Sequence, residues 1–321
     1  MVRESVIRHA RRPGAAALAA ALRASDRRAG LALCYHRVRD TGGRAGALVP
    51  ALGTRLFADQ VRLLKARYRL VRASDLAEAA STRRRGERFP LAVTFDDDLA
   101  SHATVTAPLL RSLGVPATFF IGGAALDRPR PFFWEALQAA LDAGLAPDDP
   151  LLPAVEDPGG PGGPHRLAAA VRDLTSVERE SLTEILVELA GGPPEPGLRG
   201  EAVREMAAAG FEIAFHTRNH EALDSLGDAE LDFALREGRE RIEELTDGPM
   251  KTIAYPFGIG DERVAGAARA AGFEAGFTLE ARPISVAGDP LLMGRYQPSL
   301  VSAGHLATEL ARGLARSFSA P

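Results

Sequence analysis

Three carboxylates in a row, Asp96, Asp97 and Asp98, follow an apolar run in the stretch LAVTFDDDLA. Adjacent like charges repel, and in a poorly solvated place each acid resists ionising beside its neighbours. A solvated turn would tolerate them, and so would a bound cation. A second stretch, FEIAFHTRNHEAL, sets His216 and His220 four residues apart at the end of another apolar run. If a helical turn begins there, imidazoles at i and i+4 face the same way and can share one ion. Alone, the HxxxH pair is weak evidence and reads first as two solvated loop histidines. With one of the acids it becomes a three-ligand set that leaves a coordination position open, the usual form of a catalytic zinc site. A cation would relieve the crowding of the acids. One of them could ligate it while another stays free as a base beside the activated water.

Such a site needs strands that end on one face. Short apolar strands alternate with amphipathic helical segments along the chain. LALCYH reads as a strand and FADQVRLLKAR as a helix, LAVTF as a strand and VTAPLLRSLG as a helix, with ATFFIGG a strand after it. EAVREMAAAG is a helix closed by Gly210, FEIAFH a strand, AELDFALREGRERIEELT one long helix, and MKTIAYPFG a strand. ERVAGAARAAG and FEAGFTL complete the series. This order predicts an α/β fold with a mostly parallel sheet, open or closed into a barrel. In such sheets the loops at the C-terminal strand ends converge to build sites, and both chemical stretches lie there. The rhythm breaks at about 127–200, where PFFWEALQAALDAG, a Pro/Gly tract and SVERESLTEILVELAGG predict a helical insertion over the core. Trp134, the single tryptophan, reads as its packing anchor. The expected division is a helical extension over residues 1–30, the core domain over 31–300 and a C-terminal helix or tail over 301–321.

Composition narrows the function. A net charge of −3 provides no general attraction to nucleic acid. Cys34 is the single cysteine, so there is no intramolecular disulfide or thiolate cluster, and a small buried hydrophobe is its expected role. No run of about 18 apolar residues predicts a membrane span. The basic, Ala-rich N-terminus lacks the strongly apolar core of a secretory signal, so a surface helix and a cytoplasmic location are expected.

With these motifs in place, the chain resembles the polysaccharide deacetylase family, the NodB-like carbohydrate esterases of family 4, over most of residues 31–296. TFDDD stands for the family's TFDDG, and His216-Thr217-Arg218-Asn219-His220 matches its H[ST]xxH in full. APLLRSLGVPATFFIGG and EMAAAGFEIAFHTRNHEAL resemble the flanking text of those motifs. The resemblance implies a distorted (β/α) barrel of the NodB type carrying a helical insertion. It implies Asp96 as catalytic base and one divalent metal, zinc by preference, on Asp97, His216 and His220. Asp98 replaces the family's usual glycine, and capping the following helix is its expected role. Ala254-Tyr255-Pro256-Phe257-Gly258 resembles the variant form of the third motif, in which the backbone N–H at Phe257 would help hold the oxyanion. The family's arginine is missing there, and Arg295 in LLMGRYQPSL is the candidate replacement that steadies the base. His36 and Tyr255 are assigned to the pocket lining. His305 falls late enough for the family's general-acid histidine but reads as solvated; His9, His102 and His165 are assigned to solvent or capping.

The expected activity is hydrolysis of an N-acetyl group on an amino sugar in a poly- or oligosaccharide or a glycan precursor, by metal-activated water with an Asp base. Two other readings remain: a metal amidohydrolase acting on a non-carbohydrate or cyclic amide, and a catalytically silent carbohydrate-binding relative.

Overall fold

The computed structural model describes residues 18, 20–40, 47–48, 51–126, 131–192 and 197–316. His9 and the basic start of the chain lie outside the described residues, as do 127–130 at the expected start of the insertion and 317–321 of the tail. Among the described residues no helix is long and apolar enough to cross a membrane.

In chain order the strands are β1 (Ala29–Tyr35), β2 (Val38–Arg39), β3 (Leu52–Gly53), β4 (Arg69–Val71), β5 (Pro90–Asp96), β6 (Thr118–Ile121), β7 (Glu212–Phe215), β8 (Thr252–Ala254), β9 (Ala275–Phe277) and β10 (Ile284–Ser285). The helices are α1 (Thr54–Arg67), α2 (Leu76–Ser81), α3 (Ala107–Leu113), α4 (Phe133–Asp142), α5 (Gly163–Arg172), α6 (Ser176–Leu189), α7 (Gly200–Ala208), α8 (Asp228–Ala234), α9 (Arg239–Thr246), α10 (Glu262–Ala270) and α11 (Ala303–Arg316).

The main sheet runs β10-β1-β5-β6-β7-β8-β9, parallel throughout except where β10 lies antiparallel to β1. On the side of β5 away from β1, β4 pairs with its first half and β6 with its second. The sheet curls, and its two ends are joined by an irregular segment. Met293 pairs with Phe277 of β9, and Tyr296 pairs with Leu33 of β1. This is the expected α/β fold, a distorted barrel closed by three or four residues of chain in place of a full strand.

Side chains alternate across each strand. Leu91, Val93 and Phe95 face outward with Leu31, Leu33 and Tyr35, packing in the larger hydrophobic cluster with Phe57, Val61 and Leu64 of α1. Phe95 stacks on Tyr35 and Phe119 at 5.4 and 4.9 Å between ring centres. The alternate residues Ala32, Ala92, Phe120, Ala214, Ala254 and Phe277 form a second, smaller cluster inside the curl. The parity that puts small residues inside carries Cys34, Asp96 and His216 inward at the C-terminal ends.

Between β6 and β7 the chain leaves the sheet and builds α4, α5 and α6 around their own apolar cluster of Phe133, Trp134, Leu137, Leu167, Val171, Leu182 and Leu186. A capping box of Thr175 and Glu178 fixes the start of α6. The Pro/Gly tract is shorter than the sequence suggests, because Gly163 and Pro164 already open α5. The expected long helix over 229–246 is two helices, α8 and α9, broken at Gly238, whose φ is +76°. A left-handed residue cannot continue a right-handed helix. Strands β4 and β10 are too short to announce themselves in the sequence.

Gly122, just past β6, sits where an added Cβ would lie 2.5 Å from the Thr217 carbonyl oxygen. This contact draws the turn after β6 against the loop after β7. Gly122→Ala is expected to destabilise the protein by about 1–3 kcal/mol through overpacking, read as a lower midpoint in denaturant with an unchanged slope.

Candidate metal centre

Asp97, His216 and His220 converge, each offering one ligand atom within 4.8 Å of the others. Asp97 Oδ1 lies 3.6 Å from His216 Nε2 and 3.5 Å from His220 Nε2. These separations are long for hydrogen bonds. They suit ligands around one tetrahedral ion, whose bonds of about 2.0–2.2 Å space the donor atoms about 3.3–3.6 Å apart. Both Asp97 carboxylate oxygens are buried and have no hydrogen-bond partner. A buried carboxylate with no donor is costly unless a charge meets it, so the donor set fits a cation.

The backbone bends to make this convergence. Six described residues other than glycine have positive φ, and four stand here: Asp97 (79°), Thr217 (48°), His220 (52°) and Phe257 (59°). Strain concentrated in this way is characteristic of functional turns. Thr217 and His220 also correct the simple expectation of a helical turn carrying the HxxxH pair; a left-handed loop brings the two rings together instead, 4.9 Å apart and nearly perpendicular.

Nδ1 of His216 lies 2.7 Å from the Ala254 carbonyl and must donate to it, so in the neutral ring Nε2 turns its lone pair toward Asp97. Burial, with the charge of His216, pushes His220 down to about 3, so its ring stands neutral. For His216 burial acts downward, but Asp96 and Asp97 outweigh it and hold the ring above its ordinary value.

Asp96 is satisfied differently. Arg295 Nη1 and Nη2 donate to its two oxygens at 2.6 and 2.7 Å, and both residues are buried. The barrel-closing segment delivers Arg295 to this place, and Nη1 and Nε also reach the Thr94 hydroxyl and the Thr278 carbonyl. Burial would raise the Asp96 carboxyl, but the Arg295 guanidinium, aided by His216, holds it far below the usual carboxylate range. Cys34, buried as expected, also donates its thiol to Asp96 Oδ2 at 3.3 Å, and burial keeps that thiol protonated. Cys34, His36 and Asp96 have ligand atoms close enough to hold an ion. The positive charge already in that corner comes from Arg295.

Asp98 does not cap the following helix. Its carboxylate accepts the backbone N–H groups of Gly122, Gly123 and Ala125, in the turn after β6. Burial nevertheless raises its carboxyl above the ordinary value.

His36, half-buried at the end of β1, has Nδ1 3.9 Å from Cys34 Sγ, so it lies on the Asp96 side of the centre. Tyr255 is not brought to the cavity. Its ring is fully buried against Gly260 and Gly276, and its hydroxyl donates to the Leu291 carbonyl, so it serves the core. The Phe257 ring meets His220 edge-on at 4.5 Å. His102, assigned to solvent or capping, is fully buried: Nε2 donates to the Asp96 carbonyl at 2.8 Å and the ring packs on Phe95 and Phe119. His305 is exposed on α11, 3.5 Å from Glu309, and His165 is exposed on α5.

The insertion supplies what the motifs do not reveal. Trp134 and Phe132 stack at 4.7 Å and meet the His220 ring at 5.1 and 5.6 Å. Arg179 of α6 is buried and donates to the Asn219 carbonyl at 2.9 Å, between the two histidines of the motif. A cavity of about 590 Å³ opens between α6 and the motif loop, lined by Phe132, Arg179, Thr183, His216, Asn219 and His220 among others. Its size is typical of small-ligand sites. Asp96 and Asp97 lie beyond its lining.

Residues 175–276 match the family model for polysaccharide deacetylases. The matched span carries His216 and His220, while the acids of β5 fall outside it. No curated protein sequence matches the chain. Among solved structures, the deacetylase PplD of Streptococcus pyogenes, in complex with acetate, is similar with a TM-score of 0.60 at 15% identity, over 89% of this chain and 98% of that one. IcaB from Ammonifex degensii gives 0.56 at 19%, over 87% and 97%. The BpsB deacetylase domain from Bordetella bronchiseptica gives 0.55 at 20%, over 84% and 96%. The resemblance to the polysaccharide deacetylases thus holds in sequence over the matched span and in fold over most of the chain.

Arg295→Met should leave Asp96 buried without its counter-charge and destabilise the protein by about 3–5 kcal/mol. The pair Asp96→Leu with Arg295→Met is expected to recover much of that loss in a double-mutant cycle of denaturant unfolding. Because the folded Asp96 carboxyl lies below its unfolded value, its contribution is present above the ordinary carboxylate range and fades as pH falls. The single variant should therefore lose less stability in acid than at neutral pH.

Proposed function

We propose that this protein is a metal-dependent hydrolase that removes N-acetyl groups from amino sugars in a poly- or oligosaccharide or a glycan precursor. The observation that carries the reading is the partnerless, buried Asp97 carboxylate, at ligand spacing from two imidazoles and beside an Asp96 already paired with arginine. The family match and the names of the structural neighbours support carbohydrate deacetylation, and with it a hydrolase acting on carbon–nitrogen bonds.

Asp97, His216 and His220 would hold the cation; the nitrogen-rich set suits zinc, which would supply Lewis acidity and a water of lowered pKa. Asp96 is the proton acceptor. Arg295 orients its carboxylate and keeps it ionised, which also makes it a weak base. It therefore takes the proton as the new C–O bond forms, when the attacking oxygen is becoming acidic. The same carboxyl returns the proton to the departing amine. The backbone N–H of Phe257 is the donor for the oxyanion, in a turn fixed by its left-handed conformation. Substrate enters from the cavity under α6, where Phe132 offers an apolar ring and Arg179 and Asn219 offer polar groups.

Acetate release from N-acetylglucosamine oligomers, together with metal content by mass spectrometry, tests this reading. Asp97→Ala, His216→Ala and His220→Ala should each lose the metal and nearly all activity. Asp96→Asn should keep the metal and lose about 10²–10⁴ in kcat. An active Asn variant would remove Asp96 from the role of base. Turnover of a cyclic amide with none of the oligomers would move the reading to a non-carbohydrate amidohydrolase. Bound oligomer with no acetate from any substrate would mean a silent binding relative.

A further inference from the structure

Asp98 holds both ends of the insertion. Its Oδ1 accepts the N–H groups of Gly122 and Gly123 at 2.8 and 3.3 Å, and its Oδ2 those of Gly123 and Ala125 at 3.0 and 3.4 Å. These residues are the exit from β6, where the insertion begins. The Asp98 carbonyl accepts the Leu198 N–H at 2.7 Å, and Leu99 pairs with Gly197 as the chain returns toward α7. Outgoing and returning chain therefore meet at one residue, next to Asp97. Asp98 is 2% exposed, and for a carboxylate so buried the amide donors are the compensation for lost solvent.

We propose that Asp98 is a positioning residue, which fastens the helical insertion to the catalytic end of the barrel and so sets the wall against His220. Three contacts carry the effect from the insertion to the metal motif. The stacked pair of Phe132 and Trp134 abuts the His220 ring edge-on, and Arg179 holds the Asn219 carbonyl. His220 needs such support, because its backbone lies in the left-handed region at φ +52° and its Nδ1 has no hydrogen-bond partner to orient the ring. The glycine of the resembling motif would leave the backbone carbonyl in place and remove the carboxylate, so Asp98→Gly isolates the outgoing tie.

The test compares the full chain with its Asp98→Gly and Asp98→Asn variants by hydrogen exchange without metal, and then by titration with Co²⁺ followed through the fluorescence of Trp134, the single tryptophan. In Asp98→Gly the peptides of α4–α6 and of residues 216–221 should exchange at least about tenfold faster, while β1 and β5 keep their protection. The dissociation constant for Co²⁺ should rise about five- to tenfold, which a purely structural loop tie would not produce. Asp98→Asn should exchange faster than wild type and slower than the glycine variant, since it keeps one acceptor oxygen and turns an NH₂ group toward amide donors in place of the other; wild-type exchange in this variant overturns the proposal. So does unchanged exchange, or unchanged Co²⁺ affinity, in Asp98→Gly.

Should that variant fail to fold, the unmodified protein still decides. The amides of Gly122, Gly123, Ala125 and Leu198 are expected to exchange through one common opening, and a Leu198 amide that exchanges independently of the other three refutes the shared latch. The proposal uses the cation reading of Asp97, His216 and His220 only in the Co²⁺ arm. A wild-type protein that binds no Co²⁺ would overturn that reading and the coupling to it, while the exchange data would still judge the fastening.

Discussion

Three consecutive carboxylates are buried at the end of one strand, and each is relieved by a different means. Asp96 has a guanidinium on both oxygens. Asp98 has backbone amides. Asp97 has nothing from the protein except two imidazole nitrogens at ligand distance. Since burial alone would keep all three protonated, the arrangement around each acid separates three roles that the sequence writes as one letter repeated. The barrel supports this division: a strand end supplies the acids, the closing segment supplies Arg295, and the turns after β6 and β7 supply the amides and the histidines.

Asp96 and Arg295 also explain how the barrel can close without a complete last strand. The Met293–Tyr296 segment makes only isolated pairings with β9 and β1, yet its arginine reaches into the interior and meets a charge, a hydroxyl and a carbonyl there. Small inward residues, Ala32, Ala92, Ala214 and Ala254, leave the room it needs. On the other side of the centre, the insertion has its own apolar cluster and still sends Phe132, Trp134 and Arg179 to the motif loop. The cavity therefore has one wall from the barrel and one from the insertion.

Much of this was legible in the chain. Short apolar strand runs and period-3.6 helices carried the α/β order, and the acids and the HxxxH pair declared themselves because their spacing and their place after strands are local features. Arg295 could be named from its guanidinium chemistry, but nothing in LLMGRYQPSL states that it points into the barrel. Three of the misreadings have one cause. Asp98 as a helix cap, Tyr255 as a pocket residue and solvated His102 all assumed the nearest sequence neighbours, and in each case a distant backbone or core contact decided the outcome. The continuous helix over 229–246 fails for a local reason, the left-handed Gly238 within it.

The sequence by itself determined the composition of the centre: which acids, which imidazoles, and the strands that end beside them, because alternation and turn chemistry act over a few residues. Tertiary structure alone decided which acid meets which partner. Arg295 and Asp96 stand 199 positions apart, and Trp134 and His220 meet only because the insertion folds back. Contacts of that range are set by how the sheet curls and closes, and no local pattern of side chains encodes it.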